Sequence, residues 1–178
     1  MLVLFLDIDG VINSEESYRV REEYYQKYNE WISPLDEEVV KRIAKIVSLT
    51  GTKVVLSSTR RFDWKDGKEN LEIAESKYLQ SLFDKYNIEI IGITPKIAKS
   101  NDAHEEYTSW REFEINAYLD SHPEITGFCI IDDEKTDLHS LEDNLVKINS
   151  KYGLTDESVE QAIQILMAQK KERHNLSL

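Results

Sequence analysis

Short apolar segments with strand character alternate along this chain with longer segments that have the periodicity of amphipathic helices. In residues 33–50, for example, apolar side chains recur every three or four positions, with Ser33 as the expected N-cap and Gly51 as the end. Such alternation favours parallel strands joined by helical crossovers. The sequence therefore predicts an α/β fold, with a mostly parallel five-stranded sheet covered by helices on both faces. The predicted strands are the segment before Asp7, 53–57, 88–93, 127–131 and 145–148, and the other predicted helices are 71–86, 110–119 and 157–167.

Length and composition fit a single domain. A chain of 178 residues can bury a core without disulfides, and its one cysteine, Cys129, lies in an apolar segment where we expect it to be buried. We expect one domain over 1–168, an insert with short helical turns at about 14–32, and a tail at 169–178. The net charge of −12 opposes non-specific binding to nucleic acid or anionic membranes. Without a basic start or a long apolar run, the chain is expected to be cytoplasmic, with no membrane partner.

Two aspartates follow the first predicted strand. Asp7 and Asp9 are separated by one residue and are followed by Gly10. Side chains two positions apart on a strand share a direction, and glycine allows a sharp exit from the sheet. Close carboxylates favour a divalent metal, a cationic partner or a shared proton between them, whereas an Asx turn that caps the strand is the structural alternative.

A second group of acids follows the fourth predicted strand. Asp132, Asp133 and Asp137 come at the end of that strand, so the sheet places them at the same edge as the first two aspartates. Oxygen ligands from one or two carboxylates together with a phosphate are what Mg²⁺ prefers. The sequence therefore predicts a magnesium site at this edge.

Hydroxyl and basic side chains are expected at the same place. The second predicted strand ends in Ser57 and Ser58, whose hydroxyls suit a phosphoryl oxygen, although capping of the strand end is the simpler reading. Arg111 begins the helix that leads into the fourth strand, from where a guanidinium can reach the acids. A solvent-exposed position on the helix is the alternative for this arginine.

Taken in order, these segments resemble the haloacid dehalogenase (HAD) superfamily of phosphohydrolases. The resemblance rests on DIDGV, the hydroxyl ending of VVLSS, the basic residue that opens a helix, and DDEKTD. It covers nearly the whole chain and implies a three-layer Rossmann-like fold with a small cap insert. The segment SSTRR and the run from Trp110 to Asp137 are similar to the HAD-type phosphatase domains of some nucleic-acid repair proteins.

The resemblance also implies a role for each site residue. Asp7 would be the nucleophile that forms an aspartyl phosphate, and Asp9 would be the general acid and base with its carbonyl on Mg²⁺. Ser57, or Ser58 if the register differs by one, would bind the transferring phosphoryl group. Arg111 stands where most relatives have lysine and would neutralise charge. Metal ligation would fall to Asp7, Asp9, Asp133, Asp132 and Asp137.

The substrate is expected to be a phosphomonoester, with nucleotides and nucleic-acid ends as candidates. Arg60 and Arg61 follow the second strand and suit a basic rim around phosphates, while balancing of nearby acids is the alternative for both. A metal-dependent nuclease would also use clustered acids, but it does not need the hydroxyl and basic positions in this order. A receiver-like signalling module is disfavoured because the third predicted strand ends without an acid. A catalytically silent HAD-like binding or regulatory module is the remaining alternative.

Overall fold

The first strand, β1 (Leu2–Leu6), forms the centre of the sheet and is buried on both faces. Leu2, Leu4 and Leu6 pack into one core, and the alternate residues Val3 and Phe5 pack into the other. This explains the continuous apolar run, which is typical of a parallel strand covered on both sides. The computed structural model describes residues 1–30, 33–58, 64–65, 68–69, 74–97, 110–134 and 138–176.

The other strands are arranged around β1 in one sheet. They are β2 (Lys53–Leu56), β5 (Ile90–Ile93), β6 (Gly127–Asp132) and β7 (Leu145–Lys147), in the spatial order β5-β2-β1-β6-β7. Every pairing in this sheet is parallel. The predicted five-stranded α/β fold is confirmed. Two short antiparallel strands, β3 (Trp64–Lys65) and β4 (Lys68–Glu69), form a separate hairpin after β2.

Helices cover both faces of the sheet and give it three layers. One core contains apolar residues of α2 (Glu37–Thr50), α3 (Ala74–Lys85) and α5 (Asp156–Leu176). The opposite core contains Ile115 and Tyr118 of α4 (Trp110–Ser121), together with residues around a 3-10 helix (His139–Asn144). Cys129 is fully buried in the first core, as predicted.

The start of α2 differs from the prediction. Asp36, and not Ser33, is the N-cap, because its side chain accepts a hydrogen bond from the backbone of Glu38. Ser33 instead accepts from the backbone N–H of Leu35 in the preceding turn. Serine and aspartate are both suitable N-cap residues. Which of the two caps α2 depends on the path of the chain between the preceding helix and α2. The helix ends at Gly51 as predicted, in the left-handed conformation with φ 72°.

The insert after β1 is a continuous helix, α1 (Glu15–Tyr28), where we expected short helical turns. Ser14 is its N-cap, and none of its residues is fully buried. Backbone N–H groups of Glu15 and Glu16 donate to the carbonyls of Ser150 and Lys151, which fixes the start of the helix on the loop after β7. These contacts bring the start of α1 to the edge of the sheet where β7 ends.

The last helix continues further than the sequence indicated. We expected it to end at Met167, but α5 extends to Leu176. Gln169 explains part of this extension, since its amide donates to the Phe128 carbonyl and accepts from the Phe128 N–H. The first residues of the helix predicted at 71–86 lie outside the described residues. Within the described part of the chain, no helix combines the length and apolar character needed to cross a membrane.

Candidate active site

The candidate site lies where β1, β2 and β6 end side by side. Leu6 is in register with Leu56 on one side and with Ile131 on the other, so the residues after these strands emerge at one edge. The sheet hydrogen bonds continue past the strand ends, because the backbone N–H of Asp7 donates to Ile131 O at 3.0 Å. The backbone N–H of Ser57 likewise donates to Leu6 O at 2.9 Å.

Three carboxylates converge at this edge. Asp7, Asp132 and Asp133 each offer an oxygen, and these oxygens lie within 4.8 Å of one another. Asp7 and Asp132 are buried, and Asp133 is half-buried. Backbone N–H groups hold two of them, since Ile8 donates to Asp7 Oδ1 at 2.7 Å and Glu134 donates to Asp132 Oδ1 at 2.8 Å.

Arg111 lies between the two buried acids. Its Nη2 is 3.7 Å from Asp7 Oδ2, and its Nε is 3.4 Å from Asp132 Oδ2. The guanidinium is mostly buried, with 13% of the side chain exposed. Its Nη1 is buried and has no hydrogen-bond partner among the described residues. The position of this arginine at the start of α4 therefore brings one guanidinium against two carboxylates. Its Nη1 group is still available to donate a hydrogen bond to a ligand.

The electrostatics of the cluster favour an additional cation. Burial raises the pKa of Asp7 and raises the pKa of Asp132 to about 7, and the charge of Arg111 opposes both changes. The pKa of Asp133 is also raised, first by burial and also by the charge of Glu134, while the Lys147 ammonium lowers it. A bound divalent cation would act against this effect of burial and would favour the charged form of all three carboxylates.

Gly10 makes room for one of these acids. It has a φ of 73°, and a Cβ built on it would lie 2.2 Å from Asp133 Oδ2. Any side chain at this position would therefore meet the carboxylate as well as an unfavourable backbone conformation. The glycine that follows the two aspartates allows both the turn after β1 and the approach of Asp133.

Asp9 is held apart from the three clustered carboxylates. It is not a member of the group found among the described residues, and its Oδ1 accepts a hydrogen bond from Asn13 Nδ2 at 2.7 Å. The same Nδ2 lies 3.1 Å from the hydroxyl of Tyr18 on α1. The two acids of the first motif therefore have different environments, one inside the cluster and one against an amide.

The two serines at the end of β2 are also distinguished. Both are buried, but the side chain of Ser58 forms a hydrogen bond with Asp7, which helps to lower the pKa of that acid. The hydroxyl of Ser57 has no hydrogen-bond partner within the described part of the chain. Both hydroxyls follow β2, adjacent to the end of β1.

The remaining residues of the site fall into two groups: those predicted but outside the described part of the chain, and those near the site that the sequence did not indicate. Asp137, Arg60 and Arg61 lie outside the described residues. Sequence reasoning missed Asn13, whose position four residues after Asp9 was the available signal. It also missed Lys147, which is in register with Asp132 through the pairing of β6 and β7.

The residues present fit a hard divalent cation. The donor set consists of carboxylate oxygens. Oδ2 of the fully buried Asp132 has the ion-pair contact with Arg111 but no hydrogen bond among the residues described. Oxygen donors of this kind suit Mg²⁺ better than softer metals. Asp7, Asp132 and Asp133 are therefore the residues that would hold the ion.

Comparison with known proteins agrees with this geometry. The family model for the HAD domain in Swiss Army Knife RNA repair proteins matches residues 3–159. A search of curated proteins returned no match to the sequence. The matched residues include the ends of β1, β2 and β6, the start of α4 and the three clustered carboxylates. The chain belongs to the HAD superfamily, in the family of HAD domains found in Swiss Army Knife RNA repair proteins.

Proposed function

We propose that this protein is a Mg²⁺-dependent phosphatase that hydrolyses a phosphomonoester through an aspartyl phosphate on Asp7. The observation that carries the proposal is the buried cluster of Asp7 and Asp132 bridged by Arg111, in a chain of a phosphohydrolase superfamily. Phosphoryl transfer depends mainly on positioning and charge neutralisation, and this cluster supplies both.

The first step is attack on the phosphorus by a carboxylate oxygen of Asp7. As the new P–O bond forms, the bond to the leaving oxygen breaks, and Asp9 gives its proton to that oxygen. Arg111 lies against the nucleophile and neutralises charge on the phosphoryl oxygens. Mg²⁺, when bound by the clustered carboxylates, supplies further positive charge for these oxygens.

The second step returns the enzyme to its starting state. A water molecule attacks the phosphorus of the aspartyl phosphate, and Asp9 accepts the proton that the water loses. The bond between phosphorus and the Asp7 oxygen breaks, and inorganic phosphate leaves. Asp9 is then protonated again and ready for the next leaving group.

The hydrogen bond between Ser58 and Asp7 supports Ser58 as the hydroxyl that binds the transferring phosphoryl group. Ser57 is the alternative, since its buried hydroxyl lacks a partner among the described residues. Replacement of each serine by alanine distinguishes the two. The correct position is the one whose loss lowers kcat/KM by about tenfold or more.

The substrate class that we propose is the phosphorylated end of a nucleic acid, or a nucleotide. The support is the family description, which places such HAD domains in RNA repair proteins. Arg60 and Arg61 are proposed to contact phosphates flanking the scissile one. Asp9, through its backbone carbonyl, and Asp137 are proposed to complete the metal site. Because the net charge is −12, any such binding depends on local positive charge and not on the overall field.

The test is phosphate release from small phosphomonoesters, nucleotides and oligonucleotides phosphorylated at the 3′ or 5′ end, with Mg²⁺ or with EDTA. The Asp7→Asn variant removes the nucleophile and keeps the size of the side chain. Asp120→Asn, an exposed acid on α4, is the matched control. We expect release that requires Mg²⁺, persists in the control and is lost in Asp7→Asn. Activity that survives in Asp7→Asn would exclude this nucleophile, and no release from any substrate would favour a silent binding module.

A further inference from the structure

A buried amide connects the proposed general acid with α1, the helix of the insert. Asn13 has 1% of its surface exposed, and its Nδ2 donates to Asp9 Oδ1 at 2.7 Å. The same group contacts the Tyr18 hydroxyl at 3.1 Å. In this orientation the amide donates to Asp9 in both of its protonation states, whereas the opposite one would place the Asn13 oxygen against a carboxylate oxygen once the proton has left.

Local backbone contacts fix Asn13 in this position. The backbone N–H of Gly10 donates to the Asn13 carbonyl at 3.2 Å, and Asp9 and Asn13 form an isolated β-bridge. The turn after β1 therefore folds back, so that the amide four residues later meets the carboxylate. The side chain is set by the same turn that carries the catalytic motif.

The hydrogen bond gives the two oxygens of Asp9 different tasks. Oδ1 accepts from the amide, and the carbonyl oxygen of a protonated carboxyl group is the better acceptor. The oxygen presented for proton transfer is then Oδ2. A carboxyl group that rotates freely would present either oxygen and would lose alignment with the leaving group.

Tyr18 connects the insert to the hydrogen bond between Asn13 and Asp9. It lies on the first turns of α1, which is attached through Ser14 and through backbone hydrogen bonds to the loop after β7. Its hydroxyl accepts from the amide that holds Asp9. The insert thereby contributes a contact to the proposed active site.

We propose that Asn13 is a positioning residue for Asp9, supported by Tyr18 of the insert, and that it directs the proton of Asp9 to the leaving group. This inference rests on the proposed phosphatase function. It predicts a defect that depends on the leaving group, because only a strongly basic leaving group needs a proton as it departs. An alkoxide is such a group, whereas p-nitrophenolate departs without one.

The test compares kcat/KM for an alkyl phosphate and for p-nitrophenyl phosphate. The parameter kcat/KM reports only the steps up to departure of the leaving group. The later hydrolysis of the aspartyl phosphate therefore does not mask the effect. Asn13→Leu keeps the branching and approximate size of the side chain and removes the donor. Tyr18→Phe removes only a hydroxyl from a partly exposed side chain, so it preserves the fold even if Asn13→Leu does not. Tyr28→Phe, at the other end of α1, is the matched control.

We expect Asn13→Leu to lower kcat/KM for the alkyl phosphate at least about tenfold more than for p-nitrophenyl phosphate. Tyr18→Phe should show the same preference at about two- to threefold, and Tyr28→Phe should show none. An equal loss for the two esters in both variants would overturn the proposal, since it would indicate a structural role alone.

A measurement without substrate tests the contact independently of activity. The side-chain amide of Asn13 is followed in ¹⁵N–¹H NMR spectra of the wild type and of Asp9→Ala, Tyr18→Phe and Tyr28→Phe. We expect the resonance to move in the first two variants and to stay in place in the third. An unchanged resonance in Asp9→Ala would overturn the proposal. If the wild type releases no phosphate, the proposed function and the role of Asn13 both fail, even where the NMR shifts show the contact.

Discussion

Arg111 Nε lies 3.4 Å from Asp132 Oδ2, and no part of Asp132 is exposed to solvent. The Nη2 atom of the same guanidinium is 3.7 Å from Asp7 Oδ2. One side chain therefore contacts the last residue of β6 and the proposed nucleophile after β1 through two different nitrogens. A planar fork with several donors can make both contacts at once, whereas a lysine ammonium is a single point charge. The arginine is suited to this geometry in a way that lysine is not.

The first prediction concerns this fork. Arg111→Lys keeps the charge but cannot contact both acids in the same way, so we expect kcat to fall by about tenfold to a hundredfold. The free energy of unfolding should fall by about 1–3 kcal/mol, as measured by urea denaturation. Arg42→Lys is the control, because Arg42 pairs with Asp156 at the surface. Equal effects in the two variants would show that the fork has no special role.

The second prediction concerns stability and pH without metal. The pKa of Asp132 is raised to about 7 in the folded protein, so the folded state keeps a proton that the unfolded chain has released. Stability therefore falls as pH rises from about 4 to about 7, by at most about 4 kcal/mol. Asp132→Asn should remove this part of the pH dependence, measured by urea denaturation in EDTA at several pH values. A pH dependence that is identical in both proteins would contradict the assignment.

The fold could be predicted from the sequence because it depends on local patterns. The apolar run of β1 and the three- to four-residue spacing in α2 each indicate one element, and their alternation indicates the parallel sheet. The rule that ligands bind at the carboxyl ends of parallel strands then placed Asp7 and Asp132 at one edge. These steps need no knowledge of side-chain conformation.

What the sequence did not predict depends on contacts between segments. The N-cap of α2 is Asp36 and not Ser33, and both have capping side chains, so only the path of the chain decides between them. The contact from Asn13 to Asp9 requires the turn after β1 to fold back. The length of α5 depends on Gln169, whose partner Phe128 lies 41 positions away in the sequence. Pattern reasoning does not reach interactions of this kind.

The third prediction tests that long-range contact. Gln169 makes two hydrogen bonds with the backbone of Phe128 on β6, at 2.9 and 2.8 Å. The pairing between β6 and β7 begins only at Ile130, so β7 does not provide partners for Phe128. Gln169→Ala would leave the half-buried N–H of Phe128 without this acceptor, while its carbonyl would keep the hydrogen bond from Asn144 Nδ2, so we expect a loss of about 1–2 kcal/mol in the free energy of unfolding. Gln164→Ala, on the exposed face of α5, is the control and should change it by less than about 0.5 kcal/mol. Equal losses in urea denaturation would indicate a general effect on the helix.

The fourth prediction uses two glycines with the same backbone conformation. Gly10 has a φ of 73° and Gly51 has a φ of 72°, so alanine at either position costs about 1–2 kcal/mol of strain. Only Gly10 has a neighbour in the way, because a Cβ there would lie 2.2 Å from Asp133 Oδ2, whereas nothing lies within 4 Å of one at Gly51. Both variants therefore carry the backbone strain, and only Gly10→Ala also places a Cβ against Asp133.

We expect Gly10→Ala to weaken Mg²⁺ binding and to lower phosphate release by at least about tenfold, because the Asp133 carboxylate must shift from its position beside the other two. Gly51→Ala should lose stability alone, with Mg²⁺ affinity and activity unchanged. Mg²⁺ titrations followed by calorimetry and by thermal unfolding measure the binding, and phosphate release measures the chemistry. If Gly10→Ala binds Mg²⁺ as the wild type does, the clash with Asp133 does not disturb the metal site and the prediction is wrong. If Gly51→Ala loses affinity equally, the cause is the backbone strain that both variants share, and the clash at Gly10 is not responsible.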